Sequence, residues 1–316
     1  MPTVAIPFAP MPSSHSPNIS KAAATRDVYM KASVVALASC QRWNPAWDRV
    51  FVTSEDPGVE WRAEFASVGA RVEVIPFAHT PPVGFAPTFA GSLYLLDAVD
   101  QIALSDYLLL IDPDVLCVGD LSGLLREQGA IAALPLPYGD DHDINRLSRT
   151  EAARIHDALG EPRTSVSHYG GEFYGIPSSL RRAVIERAAT AWRSALDRYE
   201  RGLSYFTTEE HIMGFALEGL PTRASTDIVN RIWTAHRFRS VTGNEAALAL
   251  WHLPAEKERA FAEMHAAVID RGSWFWTLPQ ESFVERAGRV AGLHHRKPSR
   301  LLKDIAAQAR HRIRRK

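Results

Sequence analysis

Cysteines, net charge and long apolar runs are all scarce in this sequence. The 316 residues include two cysteines, Cys40 and Cys117, which lie far apart in apolar surroundings and do not suggest a disulfide framework. No apolar run reaches the ~18 residues that a membrane-spanning helix needs, and residues 1–12 lack the basic and apolar regions of a signal peptide. We therefore expect a cytoplasmic protein, whose 46% hydrophobic content is sufficient for a large core.

The net charge of zero hides two parts of opposite sign. From Arg296 to Lys316 there are nine Lys and Arg residues against Asp304 alone, so the rest of the chain is acidic. An acidic body argues against nucleic-acid binding. The basic tail, residues 281–316, also contains apolar residues at helical spacing, namely Leu301, Leu302, Ile305, Ala309 and Ile313. Such a tail is typical of a peripheral helix on the anionic inner face of a membrane, and equally of a solvated basic end.

Short strands and helices alternate through the first 111 residues. The predicted strands are Thr3–Phe8, Arg49–Thr53, Arg71–Phe77 and Tyr107–Ile111, and the helical segments between them are 26–42, 58–69 and 89–102. This alternation predicts an α/β fold with a mostly parallel sheet flanked by helices. In such sheets, ligands bind beyond the carboxyl ends of the strands.

The second half is less regular. Strands are predicted at 130–137, 172–177 and Ala247–Leu253, and helices at 178–199, 207–219 and 254–272. The helix at 207–219 begins with a predicted capping box, Thr207 with Glu210, and the last helix begins with Pro254. The aromatic stretch Ser273–Pro279 predicts core packing or the lining of an acceptor sugar site.

Two aspartates, Asp112 and Asp114, flank a proline directly after the buried strand that ends at Ile111. In an extended segment, residues two apart point the same way, and Pro113 biases Asp112 toward extended geometry. We therefore expect both carboxylates on one side, where they repel unless a cation lies between them. Mn²⁺ or Mg²⁺ suits such ligands and leaves positions for phosphate oxygens. The pair predicts a metal site that stabilises a departing diphosphate.

Two other interpretations of the aspartate pair stay open. One is a turn with solvated acids. The other is a haloacid-dehalogenase-like phosphatase, with Asp112 as nucleophile and the acids of Tyr138–Asp143 as late metal ligands. Position 116 is Leu rather than Thr or Val, and no lysine occurs between Asp114 and Asp140 to hold a phosphate. The buried strand and its place as fourth in the alternation favour the metal site.

Several stretches, in their order along the chain, resemble the GT-A nucleotide-sugar glycosyltransferases. They are TRDVYMKASVVALAS, DYLLLIDPDVLCVGDLSGLL, HYGGEFYGIP and TEEHIMGFAL, with LWHLPAEKE as a looser match, and they span residues 25–258. The resemblance is strongest to the family that contains glycogenin and bacterial lipopolysaccharide galactosyltransferases (glycosyltransferase family 8). It implies a Rossmann-like GT-A fold with C-terminal helical additions.

The resemblance also implies roles for individual residues. Asp112, Asp114 and His252 would bind the metal, which the imidazole makes more suitable for Mn²⁺. The implied donor-binding residues are Tyr29, Asp27, Asp112, Asp114, Gly170, Gly171 and Lys257. Glu209 and Glu210 match the acid–amide pair beside the transferred sugar, so they are the implied catalytic residues.

The chain departs from the family at three points. Its acid–amide pair is acid–acid here, and the arginine expected before the Asp112 strand is missing. The late motif lacks a glycine after His252, and Lys257 falls one residue early.

We predict a GT-A domain at residues 1–280, with a donor half of about 1–125 and an acceptor half of about 126–280, followed by the basic tail. The predicted activity is metal-dependent transfer of a hexose from a nucleotide-diphosphate donor, with UDP favoured, to a hydroxyl of a glycan, lipid-linked or natural-product acceptor. A non-catalytic nucleotide-sugar-binding protein is a further alternative. A GT-A-like nucleotidyltransferase is disfavoured, because the loop after the first strand has no glycine.

Overall fold

Strands and helices alternate along the first third of the chain, as the sequence predicts. The computed structural model describes residues 1–12, 19, 25–86, 88–103, 105–235, 238–293, 302 and 305. The first four strands are β1 (Thr3–Phe8), β2 (Asp48–Thr53), β3 (Arg71–Val74) and β4 (Tyr107–Ile111). The helices between them are α1 (Thr25–Trp43), α2 (Val59–Ser67) and α3 (Tyr94–Gln101).

The second half adds shorter strands and the longest helix. Its strands are β5 (Val115–Cys117), β6 (Ile131–Pro135), β7 (Tyr169–Pro177), β8 (Thr222–Ala224), β9 (Val229–Arg231) and β10 (Leu250–His252). Its helices are α4 (Arg149–Ala158), α5 (Ser178–Glu200), α6 (Glu209–Leu217), α7 (Ala260–Ile269), α8 (Trp274–Thr277) and α9 (Gln280–Ala291). A capping box of Ser148 and Glu151, which the sequence analysis missed, begins α4.

The large sheet has the order β3-β2-β1-β4-β7-β6-β8. The pairs from β3 to β4 are parallel, β7 runs antiparallel between β4 and β6, and β8 is parallel to β6. A second sheet has the order β5-β10-β9. The predicted α/β architecture with a mostly parallel sheet flanked by helices is therefore confirmed.

Strand β4 is buried on both faces and anchors the two halves of the core. Because side chains alternate along a strand, Leu108 and Leu110 pack into the cluster with α3 and α5, whereas Leu109 and Ile111 pack into the cluster with α1 and α7. Its hydrophobic run thus reflects a central position between two helical layers.

The segment that begins at Pro254 is not helical, so that part of the predicted helix 254–272 is wrong. Residues 254–259 form turns, in which N–H of Glu256 donates to O of Leu253 and N–H of Arg259 donates to O of Glu256. The buried side chain of Glu256 accepts a hydrogen bond from Thr234. Tertiary contacts therefore override helical periodicity until α7 begins. Likewise, the strand predicted at Ala247–Leu253 is limited to β10.

Helix α9 packs Phe283, Ala287 and Val290 into the core, so residues 281–291 belong to the folded body. The boundary predicted at residue 280, between the GT-A domain and the basic tail, stays a prediction. Beyond residue 293, the tail prediction lies outside the described residues except for Leu302 and Ile305, which are both exposed. Among the described residues, no helix combines the length and the apolar character needed to cross a membrane.

Candidate active site

A cleft of about 640 Å³ opens beyond the carboxyl ends of β1 and β4. The two strands are parallel neighbours, so the residues that follow them meet at one edge of the sheet. The cleft brings together most of the predicted site residues, namely Tyr29, Asp112, Asp114, Gly171, Glu209, Glu210, His252 and Lys257. Asp27 and Gly170 are not among the residues that line it.

Two carboxylates and an imidazole converge on the floor of the cleft. Asp112, Asp114 and His252 each present one ligand atom, and these atoms lie within 4.8 Å of one another. Nε2 of His252 is 3.3 Å from Oδ2 of Asp114 and 3.8 Å from Oδ2 of Asp112. The other oxygen of Asp114, Oδ1, is buried without a hydrogen-bond partner. A buried acceptor of this kind is costly to leave unsatisfied, so the donor set fits a divalent cation such as Mn²⁺.

The Asp112–Pro113–Asp114 segment forms a turn, so the extended geometry expected from the sequence is wrong. N–H of Val115 donates to O of Asp112 at 3.1 Å, which closes the turn. The main chain then enters β5, whose register places Val115 opposite His252 on β10. The two aspartates meet because a turn joins β4 to the small sheet.

The small sheet supplies the rest of the site through its register. N–H of Leu253 donates to O of Asp114 at 3.0 Å, which fixes His252 beside the aspartate. On the other side of β10, the parallel strand β9 pairs Arg231 with His252. A metal-ligand candidate and an arginine therefore occupy neighbouring positions.

Lys257 lies in the turn after β10 and reaches the same floor. Its Nζ forms an ion pair with Oδ2 of Asp114 and lies 5.8 Å from the ring centroid of Tyr29. Burial lowers the pKa of Lys257, but contact with Asp114 outweighs burial and raises it. The departure of Lys257 from the family spacing thus still leaves its ammonium group in the cleft.

The two aspartates are electrostatically different. Partial dehydration of the cleft floor and the neighbouring Asp114 raise the pKa of Asp112 to about 6. For Asp114, burial would raise the pKa, but Lys257 and His252 outweigh it and hold the pKa well below its ordinary value. Burial would lower the pKa of His252, whereas Asp114 and Glu172 raise it to about 9. Asp114 is therefore the more firmly ionised carboxylate.

Glu210 is engaged by buried partners, and the predicted capping box of Thr207 and Glu210 is wrong. One oxygen of Glu210 accepts from N–H of Gly171 at 3.0 Å and from Arg231 at 2.9 Å, and the other lies 3.1 Å from Nε2 of His168. Burial would raise its pKa, but His168 and Arg231 lower it to about 2. Glu210 is thus an ionised carboxylate held in a network.

Glu209, the first residue of α6, has the opposite character. Its side chain accepts a hydrogen bond from Oγ of Ser92. Burial and the adjacent charge of Glu210 raise its pKa to about 8. At neutral pH, Glu210 is therefore ionised and Glu209 is protonated, and both lie beside the predicted metal site. Neighbouring carboxyl groups with such different pKa values are typical of acid and base roles.

This difference predicts a pH-dependent stability. An ordinary Glu releases its proton near pH 4.5, but folded Glu209 keeps it until about pH 8. Between these values the folded state binds more protons than the unfolded state, so the free energy of unfolding falls as pH rises. Relative to Glu209→Gln, wild type should lose up to ~1.4 kcal/mol per pH unit in this window. Urea unfolding in EDTA at pH 5, 6, 7 and 8 measures it. A constant difference between the two proteins would contradict a protonated Glu209.

Gly171 is needed because the acid pair lies against its backbone. A Cβ there would collide with the carboxylate of Glu209 and lie 3.3 Å from Cγ of Glu210. We expect Gly171→Ala to displace Glu209 and to lower the sugar-transfer activity predicted from the sequence about 100-fold, since a ~1 Å misplacement can have that effect. Gly123→Ala is the matched control, because a Cβ at Gly123 meets nothing within 4 Å. Equal activities of the two variants in a steady-state transfer assay would exclude this role.

Tyr29 and Asp27 share α1 but occupy different surroundings. Tyr29 lines the cleft, and its ring centroid is 5.1 Å from that of Phe8 at the end of β1. Asp27 forms an ion pair with Lys31 at 2.8 Å on the helix surface. Gly170, the neighbour of Gly171, faces the carboxylate of Glu172 instead.

The sequence analysis missed three polar residues of the site: Ser92, Glu172 and Arg231. Glu172 is a lone acid within the buried strand β7, and that charge is the signal that could have found it, because buried charges are almost always paired. Arg231 ends a strand next to the exposed Asn230, and Ser92 is uncharged, so neither carries such a signal.

The aromatic stretch Ser273–Pro279 packs into the core rather than into the cleft. Phe275 is buried, and its ring centroid lies 5.3 Å from that of Phe283. Trp274 packs against the same ring at 5.6 Å. The core-packing alternative is therefore the correct one for this stretch.

No protein-family model and no curated protein sequence matches the chain, but solved structures do. The galactosyltransferase LgtC, in complex with donor and acceptor sugar analogs, matches with 16% identity and a TM-score of 0.51 over 94% of this chain and 98% of that chain. An active-site mutant of LgtC matches over the same shares with 14% identity and a TM-score of 0.51. The bifunctional glycosyltransferase WbbM matches with 10% identity and a TM-score of 0.52 over 90% of this chain and 51% of that chain.

The chain has the GT-A fold. This confirms the fold class predicted from the sequence. At 10–16% identity, the likeness to these structures shows the fold alone. In this fold, the cleft lies at the edge of the sheet where the parallel strands β1 and β4 end. The neighbours named above are all glycosyltransferases, so they lend no support to the phosphatase alternative for Asp112.

Proposed function

We propose that the chain is a metal-dependent glycosyltransferase that moves a hexose from a UDP-linked donor to a hydroxyl-bearing acceptor. The observation that carries the proposal is the convergence of Asp112, Asp114 and His252 in the cleft of a GT-A fold. The acceptor class follows the sequence-based prediction: a glycan, a lipid-linked sugar or a natural product. The cytoplasmic location, and contact of the basic tail with the inner membrane face, belong to the same proposal.

Asp112, Asp114 and His252 are the residues that would hold Mn²⁺ or Mg²⁺. When bound, the ion would supply Lewis-acid stabilisation of the diphosphate as it leaves. Lys257 adds a cation on the same floor, so it would bind diphosphate oxygens. The donor's phosphates would thus meet positive charge where the strands end.

Tyr29 and the acid pair would act on the two ends of the donor. The ring of Tyr29 lines the cleft beside Phe8 and would stack on the nucleobase. Glu209 lies against the glycine backbone and would orient the transferred sugar or the acceptor hydroxyl, while Glu210 keeps Gly171 in place. Alignment of donor with acceptor is the main contribution expected of these side chains.

A thermal-shift panel tests the donor part of this proposal. UDP-, GDP- and dTDP-sugars are added with and without Mn²⁺ to wild type and to Asp112→Asn. We expect stabilisation by UDP-sugars that depends on Mn²⁺ and is lost in the variant. Stabilisation without sugar transfer or hydrolysis over hours would instead indicate a binding protein. No stabilisation by any donor would overturn the proposal.

A further inference from the structure

Glu172 lies between the two halves of the site and contacts both. Its side chain is 0% exposed, and Oε1 lies 3.1 Å from Nδ1 of His252. Its main-chain oxygen accepts a hydrogen bond from N–H of Asp112 at 3.2 Å. One residue of β7 therefore touches two of the three metal-ligand candidates, one through its side chain and one through its backbone.

Arg231 extends this contact to the acid pair. Its Nε donates to Oε1 of Glu172 at 2.8 Å, its terminal nitrogen donates to Oε2 of the same carboxylate, and that nitrogen also donates to Glu210 at 2.9 Å. The guanidinium fork is planar and rigid, so a two-bond pair fixes orientation as well as distance. Glu172 is therefore held at a set position relative to Glu210.

We propose that Glu172 is a positioning residue that orients the ring of His252 for metal binding, and that Arg231 holds Glu172 in place. The inference rests on the proposed function, since it assigns Glu172 a role toward the ion which that function requires. A histidine that binds a metal through one ring nitrogen usually directs the other to a carboxylate, which fixes the tautomer and the ring orientation. Here Nε2 faces the aspartates, and Nδ1 lies 3.1 Å from Oε1 of Glu172 in a geometry that falls short of a hydrogen bond.

Strand register makes this arrangement a property of the fold. Strands β9 and β10 place Arg231 beside His252 in the small sheet, while β7 of the large sheet presents the carboxylate of Glu172 to both. The pair could also be only a buried ion pair that stabilises the fold. The two roles predict different behaviour of metal affinity and stability, which allows a direct test.

The test measures Mn²⁺ affinity by electron paramagnetic resonance of the free ion and melting temperature in EDTA, for wild type, Glu172→Gln and Glu172→Gln/Arg231→Gln. Glu172→Gln should weaken Mn²⁺ binding about 10–100-fold. Its melting temperature should also fall, because Arg231 loses the carboxylate of Glu172 as a partner. The double variant removes both charges but also the bond from Arg231 to Glu210, so it should recover only part of the stability and none of the Mn²⁺ affinity. Recovery of both together would show that the pair is only structural and would overturn the proposal.

Glu161→Gln provides the matched control. Glu161 forms a two-bond pair with Arg187 at 2.7 Å for each bond, away from the cleft, so its replacement should leave Mn²⁺ affinity unchanged. If wild type and Glu172→Gln bind Mn²⁺ equally well, the positioning role fails while the proposed function stands. If wild type itself binds no Mn²⁺, the proposed function fails and this inference fails with it.

Discussion

Replacing Asp114 by asparagine is expected to abolish Mn²⁺-dependent binding of UDP and to lower sugar transfer about 10³-fold or more. Metal stabilisation of a developing charge contributes several kcal/mol, and each ~1.4 kcal/mol is a factor of ten in rate. Asp114 contacts both His252 and Lys257, so its loss also leaves a buried ammonium group without its carboxylate. We therefore expect a fall in stability as well, of about 3–5 kcal/mol.

Asp112→Asn separates metal binding from stability. Asp112 is half-buried, and among the described residues no lysine forms an ion pair with it as Lys257 does with Asp114. Its variant should therefore keep the melting temperature of wild type and still lose Mn²⁺-dependent UDP binding. Asp120→Asn, an exposed change six residues after Asp114, should leave both properties unchanged. Calorimetry and kcat measurements on the three variants check this. Full transfer activity in folded Asp112→Asn would contradict a metal role for the pair.

Glu209→Gln and Glu210→Gln are expected to fail in different ways. Among the described residues, Glu209 accepts a side-chain hydrogen bond from Ser92 alone, so its replacement should lower kcat about 10²–10³-fold without changing UDP affinity. Glu210 is bonded to Gly171, Arg231 and His168, so its replacement breaks a buried network and should reduce stability by about 3–5 kcal/mol. Steady-state kinetics and urea unfolding measure the two effects.

Each of the two variants serves as a control for the other, because both replace one carboxylate oxygen by nitrogen in neighbouring residues of α6. If folded Glu210→Gln loses kcat while Glu209→Gln keeps it, the two roles are reversed and the assignment of Glu209 is wrong. If both variants keep kcat, the acid pair takes no part in transfer.

The fold was largely predictable because its first half follows strong local patterns. The buried run of β4, the amphipathic α3 and the glycine that ends α2 all agree with the strands and helices around them. The position of the two aspartates was also predictable, since both follow directly after the buried strand β4. Asp112 and Asp114 lie where the sequence placed them, although through a turn.

The rest of the site depends on contacts between distant segments, which local patterns do not encode. Glu172 and Arg231 meet because two separate sheets approach each other, and Lys257 reaches Asp114 because residues 254–259 form turns instead of a helix. Glu210 was assigned to a capping box by spacing alone, whereas its partners come from β7, β9 and the segment before β7. The positions of these side chains in the site are therefore set by ion pairs between segments that are distant in the sequence.

The most direct measurement is calorimetric titration of wild type with UDP, GDP and dTDP, each with Mn²⁺ and with EDTA. UDP should bind at least about ten times more tightly with Mn²⁺ than with EDTA, since the ion would link Asp112, Asp114 and His252 to the diphosphate. Affinities that are equal with and without Mn²⁺ for all three nucleotides would contradict the account.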